Sequence, residues 1–193
     1  MAFTPWPHSA AWFLHGAHDG FEVCFFAERP GGTLLRGHTT AVDGGVAWAV
    51  RYEIEIDTEW RTRRAVVWSS SSSDERSIVL AADGAGHWSV DGTANDALDG
   101  CIDIDLEASA CTNTLPVHRF ALGAGETPDA PAAYVRRDLR VERLEQRYRR
   151  VPDDPAHAQR VDYEAPAFDF RATLTYDESG LVVDYPGIAR RVG

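Results

Sequence analysis

Apolar and polar residues alternate with a period of two in segment after segment. That period belongs to β-strands that bury one face and wet the other. In Arg51-Tyr-Glu-Ile-Glu-Ile-Asp57 the even positions are apolar and the odd ones charged. Cys101-Ile-Asp-Ile-Asp-Leu-Glu107 repeats the pattern, with Ile102, Ile104 and Leu106 on one face, and Arg171-Ala-Thr-Leu-Thr-Tyr-Asp177 carries it more weakly. Residues 21–27, 65–68 and 78–82 are apolar on both parities, as strands covered on two sides would be. Turn residues fall between these runs: Pro30-Gly-Gly32, Asp43-Gly-Gly45, Asp83-Gly84, Asp91-Gly92, Pro152-Asp-Asp-Pro155 and Glu178-Ser-Gly180. Many short strands with close turns predict an all-β fold, one large antiparallel sheet curled into a β-roll or half-barrel with little helix.

Two stretches stand outside the pattern. In residues 138–150, Val141, Leu144 and Tyr148, with Val151 just beyond, follow at helical spacing among good helix formers, so pattern alone predicts a helix there. Ser69 to Ser73 are five serines in a row, read as a hairpin loop because strand patterns resume on both sides. Neither this loop nor residues 124–131 is long enough to divide the chain, and residues 1–193 are expected to form one domain.

Composition narrows the partners. A formal net charge of −11 disfavours nucleic acid and anionic membrane surfaces. No apolar run approaches the 18 or so residues of a membrane-crossing helix. Cys24, Cys101 and Cys111 are odd in number and lack CxxC spacing, which predicts free thiols. With no basic and apolar leader at the N-terminus, a cytoplasmic location is expected.

The chemistry-bearing residues leave several readings open. Asp103 and Asp105 share a strand face with Cα atoms roughly 6.7 Å apart. That spacing suits a pair of glycosidase carboxylates, but a solvated strand with alternating acids produces it by default. His15, His18, Asp19 and Cys24 match no closed zinc pattern, and the other histidines are scattered. No P-loop, dinucleotide fingerprint or GxSxG is present, and no cofactor is expected. Seven arginines between Arg136 and Arg150 face three acids, Asp138, Glu142 and Glu145. They form either cross-strand ion pairs or a rim for a phosphate or carboxylate head group.

Several stretches carry a more particular signal: Asp57-Thr-Glu-Trp-Arg-Thr-Arg63, Gly86-His-Trp-Ser-Val-Asp-Gly92 and Leu98-Asp-Gly-Cys-Ile-Asp-Ile-Asp-Leu106. With them go Thr112-Asn-Thr-Leu-Pro-Val-His-Arg119, Gln146-Arg-Tyr148 and Gly180-Leu-Val-Val-Asp-Tyr-Pro-Gly187. In this order and spacing the chain resembles the "putative glycolipid-binding" family, a group of bacterial cytosolic proteins first known as a domain of unknown function. The chain departs from the family's Thr-Pro-Phe run at Ser109-Ala-Cys111. The resemblance implies a large antiparallel sheet rolled around an apolar interior, like periplasmic lipoprotein carriers. It also implies a strand, not a helix, across residues 139–149.

What the resemblance implies for function is non-catalytic binding of an amphipathic small molecule, a glycolipid or lipid, with the tail in the roll and the head at its rim. Trp60, Arg63, Trp88, Asp91, Asp103, Asp105, Asn113, Arg119, Arg140 and Tyr148 are the candidate ligand-binding residues. Arg119 is expected to pair with Asp103 or Asp105. Two alternatives remain: an enzyme using Asp91, Asp103 or Asp105 on a sugar-bearing or lipid substrate, and an interaction module with a packed core.

Overall fold

The computed structural model describes residues 3–16, 18–72, 74–123, 125–152 and 159–192. Eight strands come first: β1 (Ser9–Leu14), β2 (Asp19–Arg29), β3 (Gly32–Asp43), β4 (Val46–Asp57), β5 (Thr62–Ser71), β6 (Glu75–Ala82), β7 (Trp88–Val90) and β8 (Thr93–Ala94). After β9 (Asp103–Leu106) comes a short α-helix, α1 (Thr114–Phe120), the one α-helix among the described residues. The chain continues through β10 (Ala132–Val135), β11 (Val141–Leu144), β12 (Arg147–Val151), β13 (Gln159–Ala165), β14 (Phe170–Tyr176), β15 (Val182–Tyr185) and β16 (Ala189–Arg191).

Thirteen strands form one antiparallel sheet in the order β12-β13-β14-β15-β16-β1-β2-β3-β4-β5-β6-β7-β8. Its edges, β12 and β8, do not pair with each other, so the sheet is open rather than a closed barrel. A second sheet of three strands, β11-β10-β9, has β9 parallel and β11 antiparallel to β10. Inward residues of both sheets join in one core cluster, from Trp12, Leu35 and Ile54 through Ile104 and Leu115 to Leu174. No helix among the described residues is long and apolar enough to cross a membrane.

The period-2 reading locates β4, β9 and β14, but burial departs from it in informative places. In β2 the outward residues Phe21 and Phe25 are 41% and 45% exposed, so that strand is covered on one side only. In β9 the reverse holds. All four residues are buried, including Asp103 and Asp105, because the strand lies in the small sheet and packs inside the large one. The solvated face expected for these acids does not exist.

Residues 141–144 and 147–151 are strands and not the helix of the local spacing; the strand that the family resemblance implies across 139–149 is divided into two, with residues 139–140 and 145–146 outside both. A turn precedes these strands, with Arg136 N–H and Arg140 C=O bonded at 2.9 Å and Leu139 in the left-handed region at φ 66°. Pairing of β11 with β10 and of β12 with β13 supplies the hydrogen bonds a helix would have made, and tertiary context overrides the local preference. Ser69, Ser70 and Ser71 extend β5 instead of forming a loop, and Ser73 lies outside the described residues. So do residues 153–155 of the expected Pro152–Pro155 turn, and Ala124 of the other loop. All three cysteines are free and buried.

Candidate functional site

Packing fills most of the concave side of the large sheet; Trp12, Tyr52, Leu35 and Ile54 have no exposed surface. Packing leaves a cavity of about 260 Å³ between the β13–β15 end of that sheet and the end of β9. Its aromatic wall comes from three adjacent strands. Tyr163, Phe170 and Tyr185 contact one another with ring centroids 5.8–6.1 Å apart. Tyr134 of β10 faces them and packs on Phe168 at 5.5 Å. Phe168 is 43% exposed and Phe170 and Ile188 are partly so, which places the opening there.

Polar groups converge on this aromatic space. Asp105 lines it, its Oδ1 accepting from Thr112 Oγ1 at 2.8 Å and its Oδ2 from Gln146 Nε2 at 2.5 Å. Burial pushes its carboxyl up to about 6, against the pull of those donors. Asn113, also in the wall, accepts from the Tyr148 hydroxyl at 3.0 Å through Oδ1. The donor it can offer a ligand is then its amide nitrogen. Gln146 Nε2 also reaches the Tyr163 hydroxyl at 2.9 Å. His18 lines the cavity and has its Nδ1 buried without a hydrogen-bond partner among the described residues.

Behind the wall lies a carboxylate that the sequence reading did not single out. Glu22 is completely buried. Its Oε1 accepts from Tyr52 Oη and Ser109 Oγ, each at 2.5 Å, and its Oε2 from Ala110 N–H at 2.8 Å. Burial raises its pKa, and those donors lower it in part. Ser109 and Ala110 themselves line the cavity, so Glu22 fixes the wall from the far side. This is also where the chain departs from the family's Thr-Pro-Phe run. Glu22 shares an inward parity with Cys24 and Phe26, and a charge in an apolar row was the available signal.

The candidate residues distribute unevenly. Asp105 and Asn113 line the cavity and Tyr148 orients Asn113. Asp103 does not face it. Its carboxylate is held by Arg119 through Nε at 3.1 Å and Nη2 at 2.6 Å, tying β9 to α1. Trp88 is buried and donates to Cys101 C=O at 2.7 Å, anchoring the 86–92 turn to the segment before β9. Asp91, exposed at φ 47°, accepts from Val79 N–H at 2.9 Å. Arg63 lies 3.6 Å from Asp57 and Arg140 2.7 Å from Asp138, both on the surface. Asp91, Asp103 and Asp105 are therefore not brought together.

Trp60 belongs to a second concavity, about 880 Å³, between residues 3–8, Phe26 and His118. At φ 63° it stacks on His118 at 3.8 Å and meets Trp6 edge-on at 4.8 Å. His118 Nε2 is 3.0 Å from Trp6 Nε1 and 2.9 Å from Ser179 C=O. A single nitrogen serves one of them at a time, as acceptor or as donor. Burial lowers this imidazole to about 4, so it is neutral at pH 7 and accepts or donates without charge.

The arginine cluster resolves into pairs. Arg136 meets Glu142 at 2.6 Å, Arg137 meets Asp43 at 3.0 Å, Arg147 meets Asp129 at 2.7 Å and Arg149 meets Asp162 at 2.5 Å. Arg143 pairs with Glu145 at 2.5 Å, and Arg150 bonds Gln159 at 2.9 Å. None of these arginines lines the cavity.

The sequence profile of the family described as "Putative glycolipid-binding" matches residues 10–191, nearly the whole chain. The chain belongs to this family. It is also similar to a crystal structure of a DUF1089 family protein from Pseudomonas aeruginosa, with 31% identity and a TM-score of 0.77. That match covers 100% of this chain and 97% of the other. No curated protein matches the chain.

The Asp105 environment has a measurable consequence. Its folded pKa of about 6 stands above the ordinary ~3.9 of an unfolded Asp. The folded state therefore holds a proton that the unfolded state has released between those values. The stabilising contribution is complete below about pH 4 and is lost as pH rises through about 6. Chemical denaturation of wild type and Asp105→Asn at pH 4 and pH 7 isolates it, because all other groups cancel. Wild type should gain up to about 3 kcal/mol on the variant at pH 4 relative to pH 7. A difference that does not change with pH would contradict this assignment.

Proposed function

We propose that the protein binds a glycolipid-like amphiphile and holds its sugar head in the cavity between the two sheets. The observation that carries this reading is the meeting, in one enclosed space, of the Tyr163–Phe170–Tyr185 wall with Asp105, Asn113 and Ser109. Aromatic faces pack on the C–H faces of a sugar, while a carboxylate and an amide exchange hydrogen bonds with its hydroxyls. A space of about 260 Å³ is the scale of one sugar ring and leaves no room for an acyl chain as well. This supports the reverse of the orientation expected from sequence. The head goes inward, and the tail leaves over Phe168, Phe170 and Ile188 at the opening.

The larger concavity around Trp60 supports the reading less well. Its walls are mostly proline and aromatic side chains with two threonines, and Glu28 is the one carboxylate among its lining residues.

Calorimetric titration with n-octyl β-glucoside below its micellar concentration tests the proposal. One saturable site per chain is expected. Ala165 is 1% exposed and lines the cavity, so Ala165→Leu adds a side chain into the space a ring would occupy. That variant should lose at least tenfold in affinity, about 1.4 kcal/mol, while keeping its fold. Undiminished binding to Ala165→Leu would move the ligand elsewhere.

A further inference from the structure

Two carboxylates line the cavity, and the protein treats them differently. Glu107 is matched by an arginine: Arg137 N–H donates to its Oε2 at 2.8 Å and Arg137 Nε stands 3.6 Å from its Oε1. Asp105, 6% exposed, has only neutral donors, the Thr112 hydroxyl and the Gln146 amide. Two residues away on the same strand, Asp103 has a guanidinium on both oxygens. No cation among the described residues pairs with Asp105.

A buried carboxylate without a counter-charge is costly in a folded protein, and a fold that keeps one usually has a use for it. The other groups facing Asp105 do not supply the missing charge. From β10, β13 and β15 come the hydroxyl-bearing rings of Tyr134, Tyr163 and Tyr185. From the end of β9 comes Glu107, already neutralised by Arg137. His15 and His18 border the cavity from the β1–β2 connection, and neither hydrogen-bonds to Asp105. The wall is thus short of one positive charge, next to aromatic faces that also favour a cation.

We infer that the buried head group carries a protonated amine and that Asp105 is its counter-ion. The ligand is then of the amino-sugar class, a hexose ring with an unacylated ammonium, and not a phosphorylated or carboxylated one. This rests on the sugar-head reading above and narrows it. An anionic head would meet Asp105 and Glu107 at close range, with no arginine in the wall to receive it. A neutral head would satisfy hydrogen bonds but leave the Asp105 charge unbalanced. At pH 7 the carboxylate is largely ionised, since its pKa is about 6, and so is available for the pair.

The test uses three matched probes on the intact protein at pH 7: n-octyl β-glucoside, its 2-amino-2-deoxy analogue, and the N-acetylated form of that analogue. The amine should bind at least tenfold more tightly than the other two, and Asp105→Asn should bring the amine-to-glucoside affinity ratio down to within about threefold, the ratio and not either affinity alone being the readout. The Asn variant keeps one acceptor oxygen and puts an amide donor in place of the other, against Thr112 or Gln146, and its thermal melt serves as the check on folding. If the glucoside binds and the amine binds no better, this inference falls and the sugar-head reading stands. If none of the three binds, both fall. An amine preference that survives Asp105→Asn would assign the charge contact to another residue and overturn the inference.

Discussion

Replacing Arg119 with alanine is expected to cost the fold about 3–5 kcal/mol. The reason lies in what the substitution leaves behind. The Asp103 side chain is 1% exposed, and Arg119 supplies its counter-charge through three N–O contacts of 2.6–3.2 Å. Without the guanidinium, an ionised carboxylate stays buried and unpaired, or takes up a proton it would not hold in water. The pair also joins α1 to β9, so its loss loosens the segment that carries Asp105, Thr112 and Asn113. Urea unfolding should show a lower midpoint with an unchanged slope. The double variant Arg119→Met with Asp103→Leu should recover most of the loss, because no charge is then stranded. A loss under about 1 kcal/mol in the single variant would show that the pair contributes no more than an exposed one.

Gly37→Ala should be nearly as damaging. Gly37 sits between Cys24 and Tyr52 in the register of β2, β3 and β4, and the Tyr52 ring lies across it. A Cβ there would come within 2.0 Å of Tyr52 Cζ and 2.2 Å of its hydroxyl oxygen. Tyr52 has no exposed surface, and its hydroxyl is held by Glu22 and Ser109. Moving it also removes a donor from the buried Glu22 carboxylate. Overpacking and the lost hydrogen bond together predict about 2–5 kcal/mol, or roughly 5–15 °C in melting temperature for a chain of this size. A shift of a degree or less would mean that the Tyr52 ring is not fixed over Gly37.

The sheet was legible because its strands obey one local rule. Glu53, Glu55 and Asp57 alternate with Tyr52, Ile54 and Ile56, and in β4 these apolar residues point inward and are buried. The same rule misplaced Asp103 and Asp105, because alternation reports a change of face and not which face meets water. A strand enclosed in a second sheet can bury both. Residues 138–150 misled for a related reason. Spacing of three and four satisfies a helix locally, while the pairing partners β10 and β13 lie at a distance that no window shows. Family resemblance carried that long-range information and placed strands there. Of the candidate site, Asp105, Asn113 and Tyr148 were readable from motifs. Glu22 was hidden by the apolar run around it, and the Tyr163–Phe170–Tyr185 wall by its spread over three strands.

The most direct test of a sugar head seated between the two sheets is a crystal structure of the protein with n-octyl β-glucoside. The account predicts a pyranose ring inside the cavity, against Tyr163 and Tyr185. Its hydroxyls should lie within hydrogen-bonding distance of Asp105 and Asn113, with the alkyl chain emerging past Phe168. Detergent ordered only in the Trp6–Trp60 groove or on the exposed Phe13 and Phe21 face, with no ring in the cavity, would contradict it.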